Sequence, residues 1–340
     1  MAKCGERAFR GTASAGVLRE RAINPVTAMV VVGTGALALL AAWPFIINAR
    51  NYPRQVRQTL RQALLKERHQ ERPDLAIELY RKAWQQAEEV GMDLAGAPAT
   101  GILIALGALL EKQGQQRAAV DAYEEAFAAI LHARAKNTME PDDDTMPKPH
   151  ALSAEHTAWN TLSDGQRQRL LGLGQKLGDL CAELGEDERA ERYYVWSVMQ
   201  VVAAGRQLKA QKQSTPTAQD DLPLPHWASG ADFAACLDAL ARFYTSRNRH
   251  VHAIPVLRLA LRHLPQDDCH ASMVLCHLAD AYVAIGDLAQ ARAQVDRGLQ
   301  IARSGRLGAC QDARGALLFN RALVLEVGAR TQSHGEYAVY

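Results

Sequence analysis

One spacing of large and small residues recurs four times along the chain and constrains its fold more than any other feature. In each copy a large apolar residue precedes a small one, and an aromatic or apolar residue follows the small one after three positions. A turn-forming residue stands at plus seven, Ala at plus twelve, an aromatic or aliphatic residue at plus sixteen and a second small residue at plus nineteen. The copies span 106–126, 177–197, 240–260 and 278–298. The pattern is typical of paired amphipathic helices.

Helix pairing gives this spacing a physical reason. Small residues such as Gly107 and Gly178 let two helices approach closely, and the large residues fill the gaps between helices. Gly or Asn at the turn adopts the left-handed conformation that ends a first helix. These turn positions are Gly114, Gly185, Asn248 and Gly286. Ala and Leu, which favour helix, supply most of the apolar residues. We predict an all-α solenoid of helical hairpins over residues 54–330, with weaker copies of the pattern at both ends.

The pattern resembles the tetratricopeptide repeat, whose signature combines Leu-Gly, Tyr, Ala, Phe and Pro in this order. The array is irregular because its small positions fall at 107, 178, 241 and 279 rather than at a constant interval. Two insertions explain the irregularity. Residues 136–164 are rich in Asp and Pro, and residues 205–230 combine Pro with Gln, Ser and Thr. We predict that both are loops, which are either functional or only spacers.

The N-terminal region contains a candidate membrane anchor at residues 26–47. These 22 residues include no charged side chain. As a helix they would span about 33 Å, enough for a bilayer core of about 30 Å. The pattern predicts one transmembrane helix, with a cleaved signal peptide as the alternative. Within it Thr34, Ala38 and Ala42 recur at every fourth position, which favours close packing against another transmembrane helix.

Basic residues lie on both sides of the candidate anchor. Residues 1–25 are rich in Arg and poor in acidic residues, which is typical of a mitochondrial targeting segment. Residues 50–68 are basic as well, so charge alone does not fix the orientation of the anchor. This second run either contacts anionic lipid headgroups or forms a solvated helix face. The formal net charge of the whole chain is only +2, which gives no reason to expect nucleic acid as a partner.

Motifs of enzymes and of cofactor sites are missing from the sequence. It has no P-loop, no H-E-x-x-H and no G-x-S-x-G, so we predict no enzymatic activity, cofactor, metal or small-molecule substrate. The cysteines form no C-x-x-C pair. Cys269 and Cys310 both lie near the start of a predicted first helix, in adjacent pairs. We therefore expect them to come within disulfide range in an oxidising compartment.

The first helices of tetratricopeptide arrays line a concave groove, and the register of the pattern predicts which side chains this groove exposes. Ile104 and Ala108 are expected there. A groove that holds a C-terminal carboxylate needs Lys and Asn, whereas this one is mostly acidic and would repel an acidic tail. We predict that it binds an extended or partly unfolded protein segment; otherwise its polar residues are only solvated. The candidate contacts are Glu111, Gln175, Asp179, Asp238, Arg242 and Asp280.

The layout as a whole resembles the fungal mitochondrial inner-membrane adaptor of the i-AAA protease. Residues 75–83, 118–126, 278–286 and 318–322 carry the resemblance, which extends over most of 25–330. It implies an N-terminus in the matrix and a single-pass anchor, with repeats in the intermembrane space. There the repeats would bind the protease or its misfolded or unassembled membrane-protein substrates and promote their degradation.

Three other interpretations fit the same layout. One is a respiratory-complex assembly factor, similar to the tetratricopeptide protein that serves complex III assembly. Another is a structural scaffold of an inner-membrane complex that binds no client. The third is a bacterial inner-membrane protein with periplasmic repeats. In all of them residues 331–340 form a tail beyond the array.

Overall fold

The computed structural model describes residues 51–68, 72–132, 159, 161–211, 222–265, 268–304 and 308–337. The predicted anchor at 26–47, and with it the small-residue stripe of Thr34, Ala38 and Ala42, lies outside these residues. Within the described ranges, no helix is both long enough and apolar enough to cross a membrane. The membrane anchor therefore stays a prediction from the sequence.

The described residues form eleven α-helices, which we number in chain order. Five consecutive pairs, α1 with α2 through α9 with α10, pack as antiparallel hairpins, and α11 packs on both helices of the last pair. The bounds are α1 Arg54–Arg68, α2 Pro73–Glu89, α3 Ala97–Lys112, α4 Gln116–His132, α5 Asp164–Glu183, α6 Asp187–Gln211, α7 Gly230–Ser246, α8 His250–Arg262, α9 Cys269–Ala284, α10 Leu288–Ser304 and α11 Gly308–Tyr337. The predicted all-α solenoid is confirmed for this part of the chain.

The turns inside the hairpins use the residues that the pattern predicted. Gly114, Gly185 and Gly286 have positive φ angles of 72°, 78° and 83°. Asn248 takes the same role at φ 57°. This backbone region is open to Gly and tolerable for Asn, but strained for most other side chains. A single residue therefore reverses the chain in each of these four pairs.

Close contact between the two helices of a pair depends on the first small residue of the pattern. A Cβ atom at Gly107 would lie 2.7 Å from the ring of Tyr123, and one at Gly178 would lie 2.8 Å from the ring of Tyr194. Both tyrosines are buried. The aromatic ring therefore occupies the space that a side chain on the facing helix would need, which explains why Gly rather than a larger residue stands opposite Tyr in these two copies.

The pairs stack in one direction, and the two sides of the stack differ. The second helix of each pair packs on the first helix of the next pair. First helices also contact each other in succession, α5 with α7, α7 with α9 and α9 with α11, whereas second helices do not pack together to a comparable extent. Because the first helices lie closer together, the array curves toward them, and the concave groove lies on the first-helix side.

Two predicted boundaries are wrong. Residues 205–211, predicted as loop, continue helix α6, because 206–211 are good helix formers and only Gly205 argued for a break. Gly205 instead allows the segment around Pro223 to pass close to helix α6, because a Cβ at Gly205 would lie 2.6 Å from the carbonyl oxygen of Pro223. Residues 331–337, predicted as tail, belong to α11, since no Pro or Gly stands at 330–334 to end that helix.

Other parts of the predicted loops have mixed outcomes. Residues 222–229 are not helical, in agreement with the prediction, and α7 begins after a capping box at Ser229. Residues 136–158 and 212–221 lie outside the described residues. Where the chain returns at Trp159, the indole packs edge-to-face on Trp196 and Trp227. The two insertions therefore rejoin the array at one shared aromatic cluster.

Candidate protein-binding groove

The groove begins with an ion pair between successive first helices. Glu111 of α3 lies 2.6 Å from Lys176 of α5, measured from carboxylate oxygen to Nζ, and both side chains are largely buried. Tyr123 of α4 donates a hydrogen bond of 2.6 Å to the same carboxylate. Burial raises the pKa of Tyr123 far above its usual value, and the charge of Glu111 adds to the shift. One carboxylate therefore connects three helices.

The next junction, between α5 and α7, uses neutral hydrogen bonding. The side-chain amide of Gln175 donates to the sulfur of Cys236 at 2.7 Å. Burial raises the pKa of Cys236 to about 12, so the thiol stays protonated. On the same face of α5, Asp179 accepts a hydrogen bond from the hydroxyl of Tyr194 on α6.

A charged cluster joins α7 to α9. His277 Nδ1 lies 2.7 Å from one carboxylate oxygen of Asp238, and Arg242 Nε lies 3.5 Å from the other. Asp238 is only 7% exposed. Burial by itself would raise the pKa of Asp238, but His277 and Arg242 outweigh burial and hold the pKa below its usual value. Asp238 is therefore a structural anion that depends on its contacts with His277 and Arg242.

Asp280 continues the series toward α11, with the opposite electrostatic outcome. Burial raises the pKa of Asp280, and His277 and a hydrogen bond from Asn320 oppose that shift only in part. The amide of Asn320 on α11 also donates to the carbonyl oxygen of Cys276 at 3.3 Å. Asp238 and Asp280 thus share His277 as a neighbour, yet only Asp238 is stabilised as an anion.

The six predicted groove residues lie on consecutive first helices, but not all of them face solvent. The expectation that Ile104 and Asp238 are exposed is wrong: their exposed fractions are 8% and 7%. The helical register identifies the face on which a residue lies, whereas the neighbouring first helix decides how deeply the residue is buried. The remaining candidates are partly buried; Arg242 pairs with Asp238 on its own helix, and the others contact a neighbouring helix. Whether any of the six binds a partner stays a prediction.

Sequence reasoning missed three partners in this series, Lys176, His277 and Asn320. Each lies on a helix face toward the preceding first helix, and each pairs across a long sequence separation. His277 had a local signal, since it precedes Asp280 by three positions on the same helix face. Lys176 and Asn320 had no local signal that distinguishes them from solvated residues.

One stretch of the groove leaves the helix backbone open. Gly172 lies on the face of α5 that also carries Gln175, one turn away along the helix. A Cβ atom at Gly172 would meet nothing within 4 Å. On α3, Ala108 lies on the same side of the array and is half-buried. These small residues leave room for the side chains of a bound segment between the bridging polar groups.

The far end of the groove carries a disulfide. Cys269 at the start of α9 and Cys310 near the start of α11 are bonded, with their Cα atoms 4.9 Å apart. This is the pair that the sequence predicted; its oxidation in the cell stays a prediction. The thiols of Cys181, Cys236 and Cys276 are free and buried. Burial raises the pKa of Cys181 to about 11 and that of Cys276 to about 12, which disfavours the reactive thiolates.

The fold and the groove define the class: an all-α solenoid of tetratricopeptide-like hairpins. Residues 235–269, which cover most of α7 and all of α8, match the family model described as tetratricopeptide repeat. In the part of the chain that the structure describes, no group of three or more His, Cys, Asp or Glu side chains is placed to hold a metal ion. No curated protein matches the chain.

Two solved structures match the chain at low sequence identity. BtubC (BKLC) from P. vanneervenii is 20% identical, with 83% of this chain and 92% of that chain covered and a TM-score of 0.47. A kinesin-light-chain-like protein of Podosopora anserina, with nearly identical TPR-like repeats, is 16% identical, with 75% and 99% covered and a TM-score of 0.44. Similarity at this level carries no conclusion about what the present chain binds.

Proposed function

We propose that this chain is a non-catalytic scaffold that binds an extended segment of a partner protein in the first-helix groove. The proposal rests on the uncovered backbone at Gly172. The polar groups around it already pair with each other, whereas Gly172 leaves space in the groove for a side chain of the bound segment. Arg242 offers a contact: its Nε faces Asp238 at 3.5 Å, while 32% of its side chain is exposed. A backbone carbonyl of the bound segment would accept from this guanidinium.

The proposed cellular role is that of a membrane-anchored adaptor of the mitochondrial i-AAA protease. The adaptor would stand in the inner membrane with its repeats in the intermembrane space, and would recruit misfolded or unassembled membrane proteins for degradation. Support comes from the uncharged segment 26–47, the basic leader and the family resemblance. A bond between Cys269 and Cys310 suits an oxidising compartment such as the intermembrane space, and equally a bacterial periplasm.

A substitution that fills the groove tests the binding proposal. A Cβ atom at Gly172 would meet nothing within 4 Å, so Gly172→Leu should preserve the fold and stabilise α5 by up to about 1 kcal/mol. The same side chain should block the path of a bound segment. Gly315→Leu on α11 is the matched control, because a Cβ there also meets nothing within 4 Å. Partners should be recovered with the wild type and with Gly315→Leu, and lost with Gly172→Leu.

Affinity purification from mitochondrial membranes identifies those partners. Recovery of the AAA protease together with unassembled membrane proteins would support the adaptor. Recovery of complex III subunits alone would make the chain an assembly factor, and a fixed set of inner-membrane subunits insensitive to Gly172→Leu would make it a scaffold. Orientation is tested in mitoplasts with external protease: survival of the repeats after the outer membrane is opened would contradict their placement in the intermembrane space.

A further inference from the structure

Each second helix of the array lies beside the second helix of the next pair, and we call the space between two such helices a junction. At the first three junctions a glutamate of the chain itself makes the connecting polar contact. Glu125 of α4 accepts a hydrogen bond from the indole of Trp84 on α2 at 2.5 Å. Glu124 of α4 accepts hydrogen bonds from Arg189 and Tyr193 on α6. In each case a carboxylate bridges the gap that the splayed second helices leave.

The third junction, between α6 and α8, follows the same principle. Glu191 of α6 pairs with Arg249, the residue before α8, at 2.7 Å, and it accepts a hydrogen bond of 2.9 Å from Tyr244. These contacts hold the pKa of Glu191 below its usual value, with the hydrogen bond from Arg249 as the largest cause. The carboxylate at this junction is therefore ionised and satisfied.

The fourth junction, between α8 and α10, has the opposite composition. Arg258 and Arg262 of α8 face Gln294 and Arg297 of α10 across a cavity of about 510 Å³. No carboxylate lines this cavity, and no ion pair joins the three arginines to an acidic side chain in the described ranges. Three guanidinium groups therefore converge where the earlier junctions carry an anion.

The repeat pattern shows where the difference arises. Glu124 follows the plus-sixteen residue Tyr123 in one copy, and Arg258 follows the plus-sixteen residue Leu257 in another. The same helical position is thus anionic at the second junction and cationic at the fourth. Arg258 is also held in place, because its guanidinium donates to the hydroxyl of Tyr282 and lies 5.7 Å from the centre of that ring.

We propose that the α8–α10 cavity binds a phosphate group carried by a segment of a partner protein. Guanidinium groups bind phosphate oxygens through paired hydrogen bonds, and three of them more than neutralise a dianionic phosphomonoester. Leu261 and Leu278 supply apolar walls for the side chains that flank the phosphorylated residue. The volume is within the usual range of ligand pockets, about 300–1,000 Å³. The bound phosphate takes the structural place of the missing glutamate.

Two other carriers of phosphate fit the cavity less well. A nucleotide base would need a stacking surface, and the lining includes no aromatic side chain. A flat membrane of anionic lipid would meet Asp296, which stands beside Arg297 with 55% of its side chain exposed. Like charges repel there, whereas a narrow peptide reaches the cavity between the helices. This site lies on the second-helix side and is independent of the first-helix groove.

The test measures binding of a short fluorescent peptide with one phosphoserine between two leucines to the purified full chain. The phosphopeptide should bind about tenfold or more tightly than its unphosphorylated form, and inorganic phosphate should compete with it. Arg262→Gln and Arg297→Gln should each weaken binding by about tenfold, the loss expected for one charge-assisted hydrogen bond. Arg292→Gln is the matched control, since Arg292 is exposed on α10 outside the cavity lining.

Gly172→Leu separates this proposal from the proposed function of the first-helix groove, because this substitution should leave phosphopeptide binding unchanged. Equal affinity for the two peptides, or full phosphopeptide binding by Arg297→Gln, would overturn the proposal. A second arm uses vesicles of phosphatidylcholine and phosphatidylserine. Arginine-dependent binding to these vesicles, without binding of the phosphopeptide, would assign the cavity to a lipid headgroup instead and would also overturn the proposal.

Discussion

The two sides of this array treat charge differently. On the first-helix side, polar groups of the chain pair with each other at each described junction from α3 onward, as Glu111 with Lys176 and Asp238 with His277 do. On the second-helix side, glutamates make the polar contacts at the first three junctions, whereas the arginines at the α8–α10 junction have no carboxylate beside them in the cavity lining. Paired charges set the geometry of a solenoid, and a junction left without its counter-charge indicates a ligand. Four predictions test this contrast.

The largest effect is expected at the first-helix side, from Lys176→Met. The substitution leaves the Glu111 carboxylate buried without its counter-charge, so the free energy of unfolding should fall by roughly 3–5 kcal/mol. Chemical denaturation measures the loss. Adding Glu111→Gln removes the charge but keeps an acceptor for Tyr123, and this double variant should recover most of the stability. A loss below about 1 kcal/mol for Lys176→Met would show that the pair is not an essential part of the junction.

Removal of the disulfide comes next. The bond closes a loop with a sequence separation of 41. Chain entropy predicts that Cys310→Ser lowers stability by about 4 kcal/mol. Because each repeat contacts only its neighbours, amide exchange should accelerate in α9–α11 and stay unchanged in α3 and α4. Two free thiols at these positions in the protein isolated under non-reducing conditions would contradict oxidation of the pair in the cell.

Two aspartates of the first-helix side should show opposite pH dependence. The folded-state pKa of Asp238 is lowered, so its stabilising contribution exists above the unfolded pKa and disappears as pH falls through the folded pKa. Asp238→Asn should cost about 1.5–3 kcal/mol at neutral pH and much less at acidic pH. The folded-state pKa of Asp280 is raised, so ionisation weakens the fold as pH rises. Asp280→Asn should therefore increase stability at neutral pH.

Denaturation curves of both variants across the acidic range provide the measurement. The two variants should differ in sign at neutral pH and converge as the carboxylates become protonated. Destabilisation of similar size by both substitutions at neutral pH would mean that Asp280 is a paired anion like Asp238, and that the first-helix side is more uniform than we infer.

The smallest effect on stability is expected on the second-helix side, from Arg297→Gln. The side chain is exposed and pairs with no carboxylate among the described residues, so stability should change by less than about 0.5 kcal/mol. Phosphopeptide binding should nevertheless be weakened. A clear loss of stability without any change in binding would make Arg297 a structural residue and would remove the contrast between the two sides.

Local spacing made much of the fold predictable. The positive φ angles at Gly114, Gly185, Asn248 and Gly286 were predictable because a helix reversal requires such residues at a fixed distance from the preceding small position. The helical faces of the groove candidates followed from the period of the helix. Helix ends were less predictable, as the extension of α6 through 205–211 shows, because helix propensity and tertiary cover both contribute there.

The helix pairs, their turns and their first-helix faces could thus be predicted from local patterns, since these depend on residues within one or two helical turns of each other. The choice of partner for each polar residue depends instead on how the helices pack. Glu111 and Lys176, or Asp238 and His277, meet because successive first helices pack together, and nothing in their local sequence encodes that contact. The same holds for the arginines of the α8–α10 cavity: that they lack an acidic partner can be seen only when all the side chains around the cavity are placed.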